Sequence, residues 1–358
     1  MQPTVIESIE AAPLNLPLTE PFAIASGAQH QVENVLVTLR LAGGATGLGE
    51  AAPFAAVSGE TQAGTLAAIA ALRVLLVGRD VREWRALGAA IAAADHHAAA
   101  ARCGLEMALL DALGKHYGLP LYVLFGGAST TLETDMTITA GDEAHAAASA
   151  RAILARGISQ IKVKTAGADV DFDVARLRAI RAAAPAAPLI VDGNCGYDAG
   201  RALEFVRRLE ADGIRLALFE QPLPREDWAG MARVTAEAGV PVAADESARS
   251  AADVLRLASE RAASVVNIKL MKCGVGEALR MIAIAQAAGL GLMIGGMVES
   301  ILAMTFSAHL AAGSGGFSFV DLDTPMFIPD HPFAGGFSQR GGTLSLDPAA
   351  PGHGVTLR

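Results

Sequence analysis

Hydrophobic positions along the chain follow two rhythms. In "TVIESIEAAPLNLPL" and "VENVLVTLRLAGG" apolar residues tend to alternate with polar ones, the period of a half-buried strand. Gly43-Gly44 can turn the second stretch into "TGLGEA", which predicts a hairpin. Stretches around 61–76, 82–94 and 98–117 change to helical spacing, and the last, "AAARCGLEMALLDALGKHYG", closes on a glycine. Residues 1–125 therefore read as a small α+β domain. From about 134 the pattern becomes strand, loop, helix, repeated. The strand candidates are "ETDMTIT", "QIKVK", "PLIVDGN", "LALFEQP", "PVAADES", "VVNIKLM", "GLMIGG" and "FSFVDLD". Amphipathic segments such as "DVARLRAIRAAA" and "AGRALEFVRRLEADG" lie between them.

Eight short apolar strands alternating with helices predict an α/β fold with a (β/α)8 barrel over 126–329, the strands covered on both faces. An open doubly wound sheet is the runner-up. It lacks its Gly-x-Gly-x-x-Gly turn here, and the near-constant stride favours closure. The Gly-rich tail, 330–358, is expected to pack back on the N-terminal domain.

Composition narrows the field. At 358 residues and 52% hydrophobic, the chain is long enough for a large core and more than one domain. A net charge of -9 gives no electrostatic reason to expect nucleic acid or anionic membrane. Cys103, Cys195 and Cys273 are an odd, sparse set with neither disulfide nor zinc spacing. The N-terminus "MQPTVIESIE" does not read as a signal peptide, and the Ala-rich runs are too short or broken for a membrane span. A soluble cytoplasmic protein is expected, with a homo-oligomer as the default.

The chemistry is expected at the C-terminal ends of the barrel strands. There the sequence places Lys162 and Lys164, then Asp192 with Asn194, Glu220, Asp245, Lys269, and Asp321 with Asp323. Lys164, Asp192 and Glu220 follow one another at intervals of 28 residues, about one β/α unit. A strand end returning to solvent picks up charge by chance, but each of these three acids closes an otherwise apolar run: "LIVD", "LALFE", "VAAD". Converging carboxylates repel unless a cation joins them. All-oxygen ligands favour Mg2+, with Mn2+ an admissible substitute, so Asp192, Glu220 and Asp245 are the expected ligands.

Lysine is rare in this chain, which has five, and four of them fall in two strand-end segments. Lys164 and Lys269 stand on opposite sides of the metal arc. They are the expected acid/base pair, with Lys162 supplying a like charge that tunes Lys164. Lys272 is expected to pair with a carboxylate or face solvent. The chemistry that fits is proton abstraction beside a carboxylate held on the metal, with the proton returned from the other face.

"IKVK", "VDGN", "FEQP", "ADES", "NIKLMKCG" and "GEAAP" together resemble the enolase superfamily in its muconate-lactonizing subgroup, over nearly the whole chain. The resemblance implies a modified barrel under an N-terminal capping domain, Mg2+ on Asp192, Glu220 and Asp245, and Lys164 and Lys269 as acid and base. "VDLDTP" is similar to the Asp-x-Asp of the dipeptide epimerases, typified by the L-Ala-D/L-Glu epimerases. This implies a dipeptide substrate with its ammonium group at Asp321 and Asp323, which are expected to share one strand face. The alternative is a cycloisomerase or an o-succinylbenzoate synthase-type dehydratase on the same metal. A non-enzymatic scaffold is a third reading, disfavoured because the five core polar residues are present.

There are departures from the family pattern. "EPFAIASGAQH" has no arginine to hold a glutamate side chain, and it offers Phe22 and Ile24 instead. "DGNCGY" stands where "DAN" followed by a tryptophan is commoner, which puts Cys195 at the rim. In "GGMVES", Met297 is expected to line the substrate pocket, and Glu299 to pair with Lys269 or cap the next helix.

Overall fold

The computed structural model describes residues 3–24, 27–165 and 167–358, with the side chains of 20–28 outside the description. Strands β1 (Ile6–Ile24), β2 (Gly27–Leu41) and β3 (Thr46–Ala51) form an antiparallel sheet, with the β2–β3 hairpin turning at Gly44, whose φ is 90°. Helices α1 (Ala55–Ser58), α2 (Gln62–Leu72), α3 (Trp84–Ala94), α4 (Ala99–Tyr117) and α5 (Leu121–Leu124) follow; α2 and α4 pack on the sheet and α3 packs on α4. The glycines of "TGLGEA" have a steric reason. A Cβ on Gly47 or Gly49 would run into the α4 backbone at Ala108 or Gly104, so this strand and helix touch main chain to main chain.

After the short β4 (Thr131–Glu133) the barrel begins. Its elements are β5 (Met136–Ile138), α6 (Glu143–Ala155), β6 (Ile161–Lys164), α7 (Val170–Ala183), β7 (Leu189–Asp192), α8 (Ala199–Ala211), β8 (Leu218–Glu220) and α9 (Trp228–Glu237). They continue with β9 (Val242–Ala244), α10 (Ala251–Glu260), β10 (Val265–Ile268), α11 (Leu270–Cys273), α12 (Val275–Ala287), β11 (Gly291–Ile294), α13 (Ile301–Ser314) and β12 (Phe317–Val320). The eight strands β5 to β12 are parallel neighbours in sequence order and coincide with the eight expected from the sequence. The first and last strands meet without a regular ladder. Asp135 N–H donates to the Val320 carbonyl at 2.9 Å, and Thr137 N–H donates to Asp323 Oδ2 at 2.7 Å.

Inside the barrel, Ile190, Leu218, Ala243, Val265 and Met293 form a buried apolar floor with Phe319 beside it. Two residues further on, at the strand ends or just beyond them, stand Asp192, Glu220, Asp245, Asn267, Gly295 and Asp321. Strand periodicity alone thus sets a polar layer directly on an apolar one.

The tail adds β13 (Phe333–Gly335), β14 (Ser338–Arg340), β15 (Thr343–Ser345) and β16 (Val355–Leu357). It touches both parts of the molecule. β15 pairs with β4, while His353 lies 3.2 Å from the Asp111 carboxylate of α4. Among the described residues, no helix is long and apolar enough to cross a membrane.

Two buried glutamates dock the N-terminal capping domain on the barrel. Glu50 accepts hydrogen bonds from Asn34 Nδ2 (2.6 Å), Ser300 N–H (3.0 Å) and Ala303 N–H (3.2 Å), the last two at the start of α13. Glu106 accepts from Val275 and Gly276 N–H at the start of α12. Each carboxylate meets otherwise unpaired amides at the positive end of a helix dipole. Burial raises both pKa values, and these hydrogen bonds oppose the rise. Replacing Glu50 by alanine removes the acceptor of four buried donors, the Ser300 hydroxyl among them. We expect Glu50→Ala to lose roughly 2–4 kcal/mol in urea unfolding, and Glu50→Gln to lose less.

On α13, His309 is buried and its Nδ1 accepts the Tyr122 N–H at 3.0 Å. Burial, with His353 nearby, lowers its pKa to about 3, so it is neutral in the fold. An unfolded histidine binds a proton near pH ~6.5. Its contribution is therefore complete above that pH and is lost as pH falls from there toward 3. His309→Asn keeps an acceptor and removes the titration. Across urea midpoints from pH 7 to 5, its stability should fall less steeply than wild type, by up to about 1.4 kcal/mol per pH unit.

Candidate active site

Lys162 is fully buried in the barrel, and Lys164, two residues on, reaches the mouth from the same strand face. Lys162 Nζ lies 2.6 Å from Asp321 Oδ2, 2.7 Å from Glu220 Oε2 and 3.2 Å from Asp192 Oδ2. Lys164 Nζ shares Asp192 Oδ2 at 2.8 Å, so two ammonium groups converge on one carboxylate oxygen. Across the mouth, Lys269 lies 2.7 Å from Asp245 Oδ2 and Lys272 lies 2.6 Å from Asp245 Oδ1. Lys272 also donates to the Asp245 carbonyl, so of its two expected roles it has the carboxylate partner. Asn267 Nδ2 donates to Glu220 Oε1 at 2.7 Å, and Asn194 N–H donates to Asp192 Oδ1 at 3.0 Å.

The electrostatics follow from this pairing. Burial would raise Asp192 and Asp245, but the lysines outweigh it and hold both below the usual carboxylate range. Glu220 is raised to about 7 by burial and by Asp192. Burial disfavours the cationic form of Lys162 and Lys269, yet the carboxylates around them win, and both are held firmly protonated. Lys162 is thus a fixed positive charge beside Lys164.

Asp321 and Asp323 lie just beyond the end of β12 rather than sharing a strand face as expected. The chain bends there into the 3-10 helix Thr324–Phe327, and Asp323 is spent partly on the Thr137 amide. They still come together. Asp321, Asp323 and Asp135 bring carboxylate oxygens within 4.8 Å of one another. The sequence reading missed Asp135. It precedes β5 by one residue, and its alternation with Thr137 is the only signal that it faces inward. Both of its oxygens are buried without a hydrogen-bond partner, and burial with Asp321 nearby raises its pKa well above the usual value. The same crowding raises Asp323 to about 6. The expected ligands Asp192, Glu220 and Asp245 do not form such a close group among the described residues; each has a lysine ammonium against it.

Glu299 takes neither of its expected roles. Its Oε1 accepts from Met297 N–H at 2.7 Å, while Ser300 caps α13. Its Oε2 has no hydrogen-bond partner, and burial raises the pKa to about 8. Cys195 sits half-buried after Asn194, both with positive φ (63° and 41°). Burial pushes its thiol far up, which removes it as a nucleophile. Phe22 and Ile24 fall among the residues whose side chains lie outside the description.

A cavity of about 30 Å3 brings the chemistry together. Lys164, Lys269, Asp245, Asn194, Glu246 and Met297 line it from the barrel, and Phe54 and Val57 roof it from the capping domain. Phe54 and Val57 were invisible to the sequence reading, since nothing local says that "PFAAVSG" overhangs a site built from residues 164–298. The roof is tied down where Ala52 N–H meets Met271 Sδ (3.3 Å) and Arg249 meets the Val57 carbonyl (3.2 Å). A larger cleft of about 560 Å3 along the seam between capping domain and barrel lacks this facing pair of lysines.

The chain is 71% identical over 355 residues to an aromatic dipeptide epimerase of Herpetosiphon aurantiacus, covering 99% of each chain. It superposes with a TM-score of 0.98 on a crystal structure of a mandelate racemase/muconate lactonizing protein from that organism, at 70% identity and 100% coverage of both. A dipeptide epimerase from Enterococcus faecalis, complexed with Mg and L-Leu-L-Tyr, superposes with a TM-score of 0.95 at 32% identity, covering 98% of this chain and 99% of that one. Residues 8–126 match the mandelate racemase / muconate lactonizing enzyme N-terminal domain and residues 145–358 match the enolase C-terminal domain-like family. Both halves, in order along one chain, establish that it belongs to the mandelate racemase/muconate lactonizing enzyme family of the enolase superfamily.

Proposed function

We propose that the protein is a Mg2+-dependent dipeptide epimerase that inverts the α-carbon of the C-terminal residue. The observation that carries this reading is a cavity lined by both Lys164 and Lys269. One lysine removes the α-proton, and the other, across the cavity, delivers a proton to the opposite face. Phe54, Val57 and Met297 supply an apolar wall, which favours an aromatic or aliphatic side chain over glutamate. The aromatic specificity in the name of the Herpetosiphon relative supports the same preference. Asp321 and Asp323, with Asp135 behind them, offer the substrate ammonium group a negative surface.

The residues present fit a divalent cation. Six buried carboxylates (Asp135, Asp192, Glu220, Asp245, Asp321, Asp323) face four lysines, and Glu220 Oε2 has no hydrogen bond despite its ion pair. Asp192, Glu220 and Asp245 would hold the ion, which supplies positive charge against the anion developing on the substrate carboxylate. Once Asp245 is engaged in this way, the attraction that keeps Lys269 protonated is weakened, and the lysine becomes available as a base.

Proton NMR in D2O with Mg2+ and L,L dipeptides tests the reaction. The C-terminal α-proton signal should disappear as the L,D diastereomer grows, fastest for aromatic C-terminal residues. Absence of exchange on every dipeptide, together with turnover of a cycloisomerase substrate to a ring or alkene, would overturn the reading. Metal binding is tested separately by thermal unfolding. At 100 times its Kd, Mg2+ should stabilise wild type by ~2.7 kcal/mol. Glu220→Gln should lose most of that shift.

A further inference from the structure

The two lysines are supported differently. Behind Lys164, Arg176 of α7 is almost fully buried. It donates Nη1 to the Lys164 carbonyl at 2.8 Å and Nη2 to the Thr139 carbonyl at 3.1 Å. A planar fork thus ties together the ends of β5 and β6. One turn earlier on the same helix, Asp173 Oδ2 accepts the Tyr197 hydroxyl at 2.7 Å and the Gly167 N–H at 3.1 Å. Tyr197 comes from the β7–α8 loop. Its ring is wedged between Phe205 and Phe219, with centroids 5.5 and 5.7 Å away, and burial keeps its hydroxyl protonated as a donor. The two loops also meet directly, since a Cβ on Gly167 would collide with the Gly196 carbonyl. Thr165 N–H, next to Lys164, donates to the Asp192 carbonyl at 2.9 Å. Lys269 is supported by other residues, since Lys272 Nζ donates to the Asn267 carbonyl (3.1 Å) and to Asp245, linking the ends of β9 and β10. The Lys269 carbonyl accepts the Lys272 amide (3.0 Å), and the Lys269 ammonium group rests on Asp245.

Building on the epimerase reading, we propose that Arg176, Asp173 and Tyr197 are positioning residues for Lys164 alone, clasping the β6–α7 loop to the β7–α8 loop so that this lysine meets one face of the substrate. In a two-base reaction each lysine exchanges the α-proton of one diastereomer. An error confined to Lys164 therefore breaks the symmetry between diastereomers. A displacement of about 1 Å is enough for ~100-fold in rate.

The test uses Tyr197→Phe, which removes one hydroxyl, and Arg176→Lys, which keeps the charge and loses the fork. Each is incubated in D2O with Mg2+ and, separately, with the L,L and L,D forms of the best substrate. We expect α-proton exchange to fall ~10- to 100-fold for one diastereomer, to stay near wild type for the other, and inversion to fall with the slower one. Equal losses for both diastereomers, or no loss in either variant, would overturn the proposal. Amide hydrogen exchange by mass spectrometry provides a readout independent of turnover. Tyr197→Phe should lose protection across 161–170 and keep it across 265–275. Unchanged protection at 161–170 refutes the clasp even if the protein turns over no dipeptide, whereas wild-type inactivity on the whole panel counts against the epimerase reading instead.

Discussion

Carboxylates cannot be taken out of water at one end of a barrel unless positive charge goes with them. In this protein that requirement shapes the whole mouth. Lys162 sits on Asp321, Glu220 and Asp192, and Asp245 is shared by Lys269 and Lys272. Burial and neighbouring carboxylates shift Glu220, Asp323 and Asp135 toward their neutral forms. The balance remains short of positive charge. On the epimerase reading proposed above, a divalent ion and a substrate ammonium group would supply the missing charge, and their arrival would loosen the hold on the lysines. Binding and activation of the base then become two views of one redistribution of charge.

The parts of this arrangement legible in the sequence are those fixed by short-range periodicity. The eight strands announce themselves as apolar runs, and each charged residue that closes a run occupies the strand end expected of it. Lys162 and Lys164 share a face because a strand repeats every two residues. What stayed hidden depends on contacts between distant segments. Phe54 and Val57 belong to a loop whose position over the barrel is set by docking of the capping domain. Asp135 looks like a loop residue until β12 closes against β5. Glu299 offered two partners to the sequence reading and took its own backbone turn instead, a choice between nearly equal local options that only the full packing decides. The bend after β12 belongs in the same class, since alternation beyond Val320 predicted a strand face that Pro325 and the 3-10 turn cut short.

The capping domain contributes a roof of apolar side chains but almost no charge to the cavity. On the epimerase reading proposed above, substrate choice and proton transfer would fall to different domains. The barrel carries the acids and lysines on short strands locked by their neighbours, and the roof carries Phe54 and Val57 on a loop. A change of side chain in the roof alters the shape of the cavity without disturbing the balance of charge beneath it.

The docking glutamates make this separation durable. Apart from the Asn34 amide and the Ser300 hydroxyl, what Glu50 and Glu106 grip is main chain: the amides of Ser300, Ala303, Val275 and Gly276. Every residue type except proline offers that amide. The first turns of α12 and α13 can therefore accumulate substitutions over evolutionary time without casting the roof adrift, and one barrel can carry a succession of roofs while its joints stay the same.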